Sequence, residues 1–163
     1  MNKNNFLKVY RPLTVVVGVV LLASLALQMG RGSWQLAAWM HDFMGLFLIV
    51  FSMFKLFDIA GFTEGFKKYD LIAGRADVYG LVYPFIELFL GLAYLGRIWP
   101  SSIYLLTFVI MTIGAIGVIR ALAKGLDVRC ACLGTVLNVP LSTVAVVEDA
   151  GMGLMALGML FIS

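Results

Sequence analysis

The sequence predicts an all-α, polytopic integral membrane protein: a helix bundle with a four-helix core and an additional N-terminal transmembrane helix. Three observations predict this fold class: 62% of the 163 residues are hydrophobic, only 13% are charged, and the mean hydropathy is +1.00. A soluble domain carries about a quarter charged residues, so this chain has too few to cover a water-facing surface. The net charge of +3, with no basic run, also argues against a nucleic-acid-binding protein.

Five apolar stretches approach the length of about 20 residues that a helix needs to cross a bilayer. They are 13–29, 36–57, 78–97, 101–123 and 142–162. The breaks between them contain glycines, charged residues or the dipeptide Trp99-Pro100. The longest polar segment, 61–77, is predicted to be a loop. This division predicts a tail and anchor helix at 1–35 and a four-helix transmembrane domain at 36–163.

The first apolar stretch has two interpretations. Basic residues, an apolar run and the sequence SLA at 24–26 are typical of a secretory signal peptide. The length of the apolar run favours an uncleaved anchor helix instead. The orientation of the remaining helices is predicted to be the same in both cases.

The lysines and arginines are distributed unevenly between the two sides of the predicted bundle. The N-terminal tail and the second and fourth loops, with their flanks, hold ten of the 12 basic residues. Basic residues in short loops favour the cytoplasm. We therefore expect a multi-pass protein of a bacterial inner membrane, with its N-terminus in the cytoplasm and its C-terminus on the periplasmic side.

The only two cysteines, Cys130 and Cys132, lie in the sequence RCACLGT at 129–135, directly after Arg129. The thiolate is the nucleophile of disulfide exchange and a ligand for soft metals, and nearby positive charge favours it. A disulfide across one intervening residue would close a small, strained ring, which suits exchange better than stapling. Three interpretations stay open: a thiol–disulfide exchange pair, a ligand pair for Hg(II) or Cu(I), and two buried, inert cysteines.

Acidic residues inside the apolar segments are a second candidate feature. Glu87 lies near the middle of the third segment, three residues after Pro84, and charge at that depth indicates function. Its alternative is a neutral hydrogen-bond donor between helices. Glu148 and Asp149 lie roughly 8 Å inside the last segment. The alternative interpretation of these two acids is a favourable interaction with the dipole of a helix that is capped near Ser142.

His41 and Asp42 lie near the outer end of the second segment, and His41 is the only histidine. His41 is a candidate proton carrier or metal ligand; its alternative is an interfacial polar residue bonded to a neighbouring helix. If the thiols, the acids and His41 face one another, they form a polar seam through the bundle. Asp58 and Asp70 are predicted to be solvated loop charges.

Three stretches carry a resemblance to a known family: CACLGTVLNVPLSTVAVVEDAGMGLMALGML at 130–160, YPFIELFLGLAYL at 83–95 and FKKYDLIAGR at 66–75. Over roughly residues 36–162 the chain resembles the MauE/DoxX-like redox-associated membrane proteins, which include the methylamine utilisation protein MauE. The resemblance implies a four-helix membrane bundle and a redox-associated role centred on Cys130 and Cys132. It also implies that relatives assist the maturation of a periplasmic, disulfide-rich enzyme subunit or are associated with heavy-metal-binding domains. The chain departs from thioredoxin-type proteins because it has no CxxC motif.

The favoured hypothesis is thiol–disulfide exchange that supports an envelope process, at the cytoplasmic membrane face. Arg129 would activate the thiols, and Glu87, Glu148 and Asp149 would be proton or polarity partners. One alternative is translocation of Hg(II) or Cu(I) by the same thiols, with His41 as a further ligand, and another is a non-catalytic structural subunit. No obligatory cofactor is expected. The expected partners are the lipid bilayer and a thioredoxin-like or heavy-metal-binding-domain protein.

Overall fold

The computed structural model describes residues 3–125 and 141–162, and every regular element in these two ranges is an α-helix. The helices are α1 (Lys3–Gly30), α2 (Leu36–Phe57), α3 (Ile59–Phe66), α4 (Asp77–Gly96), α5 (Pro100–Ala123) and α6 (Leu141–Ile162). The predicted all-α fold class is confirmed.

Four of these helices are long and apolar enough to cross a membrane: α1 from Leu13 onward, α2, α4 from Val78 onward, and α5. The bounds of these four spans agree with the predicted segments to within one residue at each end. The fifth predicted segment coincides with α6, which has 22 residues and packs along α5. The prediction of a core bundle preceded by an N-terminal membrane helix is therefore confirmed.

The surface of the bundle is apolar where a lipid-facing surface is expected. Phe85, Phe89 and Leu92 follow one another on one face of α4, and each is more than half exposed. Side chains three and four residues apart lie on the same face of a helix. Large contiguous apolar faces are rare on proteins that are surrounded by water. This face of α4 therefore fits a hydrocarbon environment.

The core is built from two closely packed helix pairs, α2 with α4 and α5 with α6, while α1 packs on α2. Glycines allow α2 and α4 to approach: a Cβ atom on Gly91 would lie 2.9 Å from the carbonyl oxygen of Gly45 and 3.0 Å from the amide nitrogen of Ile49. By contrast, only 17% of the span in α1 is buried, against 44–56% in the spans of α2, α4 and α5. α1 is thus peripheral to the bundle.

The prediction of a loop over 61–77 is wrong in its first part, because α3 occupies Ile59–Phe66. Asp58 is the N-cap of α3 and accepts a 2.9 Å hydrogen bond from the backbone N–H of Gly61. Phe62 and Phe66 lie four residues apart and pack against Tyr83 of α4. The short helix is stable because its apolar face packs on α4. The charged residues of this stretch obscure that apolar face in the sequence, which is why a loop was predicted.

Asp70 is also not the solvated loop charge that we expected, since only 5% of it is exposed. Its Oδ1 accepts hydrogen bonds from the backbone N–H groups of Ile72, at 2.9 Å, and Ala73, at 2.8 Å. Burial raises the pKa of this carboxyl. Asp70 therefore orders the loop that leads into α4.

One end of the bundle contains the last turns of α2 and α5, the first turns of α4 and α6, and all of α3. We call this end the basic end, because the loops there and the helix ends beside them hold seven of the 12 lysines and arginines. The cysteine-bearing segment 126–140 joins Gly125, after α5, to Leu141, the first residue of α6. Both attachment points of that segment therefore lie at the basic end.

Candidate functional site: a buried lysine–carboxylate cluster

Lys55 lies in the last turn of α2 with only 2% of its side chain exposed. Its ammonium group donates hydrogen bonds to both carboxylate oxygens of Glu87 on α4, whose side chain is 1% exposed. A charge removed from water needs an opposite charge in good geometry. The Lys55–Glu87 pair supplies this partner and joins α2 to α4.

A third charged residue approaches the pair from α6. The Oε1 atom of Glu148 lies 3.8 Å from the Lys55 ammonium nitrogen, and its side chain is also buried. Lys55, Glu87 and Glu148 together form what we call the lysine cluster. It connects three of the four core helices through one cation and two carboxylates.

Asp149 is buried next to the lysine cluster, at the contact between α6 and α5. A Cβ atom on Gly114 of α5 would lie 2.8 Å from its Oδ2. Glycine at this position therefore leaves the space that the carboxylate occupies. Both acids of α6 lie within the bundle, so an interaction with the helix dipole alone does not describe their surroundings.

Aromatic rings enclose the lysine cluster on the side of α3. The Lys55 ammonium nitrogen lies 5.2 Å from the centroid of the Tyr83 ring and 5.8 Å from that of Phe62. Cation–π contacts at these distances add to the stabilisation of a desolvated ammonium group. The side chains of Lys55, Glu87 and Glu148 are at most 5% exposed, and burial of this kind strengthens the electrostatic interactions between them.

Asp42 forms a separate ionic contact at the opposite end of α2. Its carboxylate accepts hydrogen bonds from the guanidinium of Arg31, one of them 3.1 Å long, and from the side-chain amide of Gln28, at 3.0 Å. The hydrogen bond to Asp42 raises the pKa of Arg31. Because Gln28 belongs to α1, this contact fastens the end of α1 to the start of α2.

His41 is bonded through both ring nitrogens to neighbouring helices. Nδ1 lies 3.3 Å from the carbonyl oxygen of Tyr94 on α4, and Nε2 contacts the hydroxyl of Tyr104 on α5. A carbonyl can only accept, so Nδ1 carries the hydrogen, and Nε2 of the neutral ring accepts from Tyr104. This matches the structural alternative for His41, since ligation of a metal would break one of these bonds.

The two polar regions are separated by apolar packing along α2. His41 and Lys55 are 14 positions apart, which corresponds to about 21 Å along a helix. Between them α2 buries Met44, Phe47, Leu48 and Phe51, and the rings of Phe47 and Phe51 stack at 4.2 Å. Along α2, apolar side chains thus separate His41 from the lysine cluster.

The two thiols and Arg129 lie outside the described residues, so the roles given to Cys130 and Cys132 stay predictions. In the described ranges, no group of three or more His, Cys, Asp or Glu side chains could hold a metal ion. The alternative in which His41 assists the thiols in metal binding is likewise still a prediction.

Comparison with known proteins gives the family. A family model described as methylamine utilisation protein MauE matches residues 33–162. The chain belongs to this family. The match begins just before α2 and extends to the last residue of α6, so it includes the lysine cluster and the cysteine segment of this MauE family member but not α1. No curated protein and no solved structure matches the chain.

Family membership and the four spans together make this MauE family member a multi-pass membrane protein. Sequence reasoning found Glu87, Glu148 and Asp149 but missed Lys55, which it counted among the basic residues that flank the second loop. The available signal was its position within the predicted membrane segment 36–57. The signal was weak because Lys55 lies in the last turn of α2, where a lysine side chain can reach the membrane interface without a buried partner.

Proposed function

We propose that this MauE family member is a redox accessory protein that exchanges thiols and disulfides with a thioredoxin-like partner. Cys130 and Cys132 would be the exchanging pair, in support of an envelope process. The observation that carries the proposal is the lysine cluster. One of its carboxylates, Glu148, lies on α6, the helix that directly follows the cysteine segment in the chain. Membership of the MauE family supports the same assignment.

The exchange proceeds in two balanced steps. One cysteine thiolate attacks a disulfide of the partner, which forms a mixed disulfide and releases one partner thiolate. The second cysteine thiolate attacks the mixed disulfide, which forms the Cys130–Cys132 bond and releases the other partner thiolate. Two electrons pass to the partner, and the two protons lost by the cysteines end on the partner's thiolates. The reverse sequence reduces the pair.

Arg129 and the buried carboxylates have distinct roles in this proposal. Arg129 precedes Cys130 in sequence, and its positive charge favours the thiolate that attacks. Glu148 and Asp149 lie about 11–12 Å along α6 from its first residue, within the enclosed bundle. They accept the protons of the thiols and pass them to the partner's thiolates, while the single charge of Lys55 compensates one of the two carboxylates Glu87 and Glu148.

The orientation follows from the distribution of charge. The basic end faces the cytoplasm of an inner membrane, because short basic loops are retained there. The N-terminus lies on the same side and the C-terminus on the periplasmic side. The cysteine segment is then anchored at the cytoplasmic face, where partner thiols are kept reduced.

Trapping of a mixed disulfide tests the proposal. The variant Cys132→Ser retains one thiol and cannot resolve the adduct, so we expect it to accumulate a covalent complex that reductant dissolves. The variant that lacks both cysteines is the control and forms none. Absence of any adduct from either single variant would contradict the exchange role. Stoichiometric binding of Hg(II) or Cu(I) that is lost in Cys130→Ser would then favour the metal alternative.

A further inference from the structure

A cavity of about 310 Å³ opens at the basic end, between the loop that follows α3 and the last turns of α5. Its walls come from residues 68–75 on one side and 117–124 on the other. The candidate span of α5 ends at Ala123 and that of α4 begins at Val78. The cavity therefore lies where the apolar spans end, at the level at which lipid headgroups begin.

Four basic side chains line this cavity, which we call the basic pocket: Lys68, Arg75, Arg120 and Lys124. All four are exposed, and none forms a salt bridge with another described residue. Four cations that converge on one cavity repel each other, and an anion bound between them would reduce that repulsion. The charge of the pocket thus selects an anionic ligand.

The one acidic side chain in the wall, Asp70, is directed toward its own loop. Its Oδ1 accepts from the backbone N–H groups of Ile72 and Ala73, and its carbonyl oxygen accepts from Gly74 at 3.3 Å. Burial raises the pKa of Asp70, and its backbone hydrogen bonds oppose that shift. Asp70 therefore orders one wall of the pocket, and its single negative charge leaves the four basic side chains in excess.

Close packing fixes the other wall against the loop. A Cβ atom on Gly117 of α5 would lie 2.8 Å from the carbonyl oxygen of Tyr69 and 3.2 Å from the Cα atom of Asp70. The helix backbone therefore rests directly on the loop backbone. Arg120 of α5 and Lys124, the residue directly after α5, lie one and two helical turns beyond this contact.

We propose that the basic pocket binds the phosphate of an anionic phospholipid headgroup. Arginine binds phosphate oxygens in a bidentate manner, and basic pockets between transmembrane helices suit phospholipid headgroups. The volume is at the lower end of the range for small-ligand sites, which suits a headgroup whose acyl chains stay outside. The proposal is independent of the cysteines and of the lysine cluster.

Binding of one lipid to the purified full chain tests this inference. We would titrate the detergent-solubilised protein with phosphatidylglycerol, or with phosphatidylcholine of the same acyl chains, and count bound lipids by native mass spectrometry. We expect one tight phosphatidylglycerol site. Replacing Arg120 and Lys124 together by glutamine should weaken it roughly tenfold or more, since each basic residue adds appreciable attraction to anionic lipid. Arg75→Gln, on the other wall, should weaken it as well.

The control removes the same charge elsewhere at the basic end, with Lys3→Gln and Arg11→Gln in the N-terminal tail. This variant should change the affinity less than threefold. Equal affinity for the two lipids, or equal losses in the control and the pocket variant, would overturn the proposal in favour of general surface attraction. Displacement of phosphatidylglycerol by millimolar inorganic phosphate would show a site for free phosphate instead of lipid.

Discussion

Removal of the Lys55 ammonium group should be among the most destabilising single changes in the bundle. In Lys55→Met the apolar volume of the side chain is largely kept, but Glu87 and Glu148 lose their shared cation. Both carboxylates are almost fully buried, at 1% and 5% exposure of their side chains. Loss of one partner from a buried ion pair costs about 3–5 kcal/mol. We expect a decrease of this size in the free energy of unfolding.

Glu87→Gln should be milder than Lys55→Met, because Lys55 then still has Glu148 at 3.8 Å. The neutral amide also still accepts a hydrogen bond, so we expect a loss of about 1–3 kcal/mol. Combining the two changes should cost less than the sum of the single losses, because residues of one charge network are coupled.

The assay is unfolding of the protein from mixed micelles by increasing SDS, followed by the circular dichroism signal of the helices. Arg11→Met is the control, because Arg11 is an exposed basic residue outside the basic pocket. Its effect should stay within about 0.5 kcal/mol. A loss in Lys55→Met no larger than that in Arg11→Met would refute the reasoning, since Lys55 would then not be a buried, paired charge.

Three further changes test other contacts. Gly91→Ala should destabilise by about 1–3 kcal/mol, because the added methyl meets the backbone of α2. Its control, Gly158→Ala, has open space around the methyl and should be neutral or stabilising in the same SDS titration. Tyr104→Phe leaves Nε2 of His41 without its donor and should cost about 1–3 kcal/mol. Arg31→Ala should increase amide hydrogen exchange at the end of α1 and leave exchange in α4 unchanged, because Arg31 contacts Asp42 at the α1–α2 junction. Unchanged exchange at the end of α1 would count against that contact.

The membrane spans could be predicted from the sequence because the requirement for apolar length is local. A helix must supply about 20 apolar residues to cross hydrocarbon, and four spans match the predicted segments to within a residue. The acidic residues inside the apolar segments could also be identified from the sequence, since Glu87 interrupts an apolar run. Such features depend on the composition of one segment and not on what packs against it.

Pairing between segments could not be predicted in the same way. From the sequence alone, Lys55 resembles a basic residue that flanks a loop. Its role as a buried cation is visible only in the structure, where α4 and α6 place carboxylates beside it. From the sequence alone, Asp70 resembles a solvated loop charge. In the structure the loop folds against α5, and the carboxylate of Asp70 accepts hydrogen bonds from backbone N–H groups. Helix α3 was not predicted for the same reason, because Phe62 and Phe66 are buried only through their packing against Tyr83 of α4. Each of these depends on tertiary contacts between residues distant in sequence.

The two ends of α2 combine charges differently, which bears on where chemistry occurs. At the opposite end, Asp42 has a cation that is partly exposed, with 41% of the Arg31 side chain accessible. At the basic end, the lysine cluster is enclosed and contains one carboxylate more than cations. Buried, coupled groups are typical of sites that move protons. The proposal therefore places proton transfer at the basic end.

The redox state of the cysteine pair in living cells tests the central claim most directly. Cells are quenched with acid, the free thiols of Cys130 and Cys132 are labelled with a mass-adding maleimide, and labelled forms are counted on a gel. We predict a mixture of doubly labelled and unlabelled chain that shifts toward the unlabelled form after a disulfide oxidant is added. Full double labelling under every condition, with no oxidised form at any time, would contradict thiol–disulfide exchange by this protein.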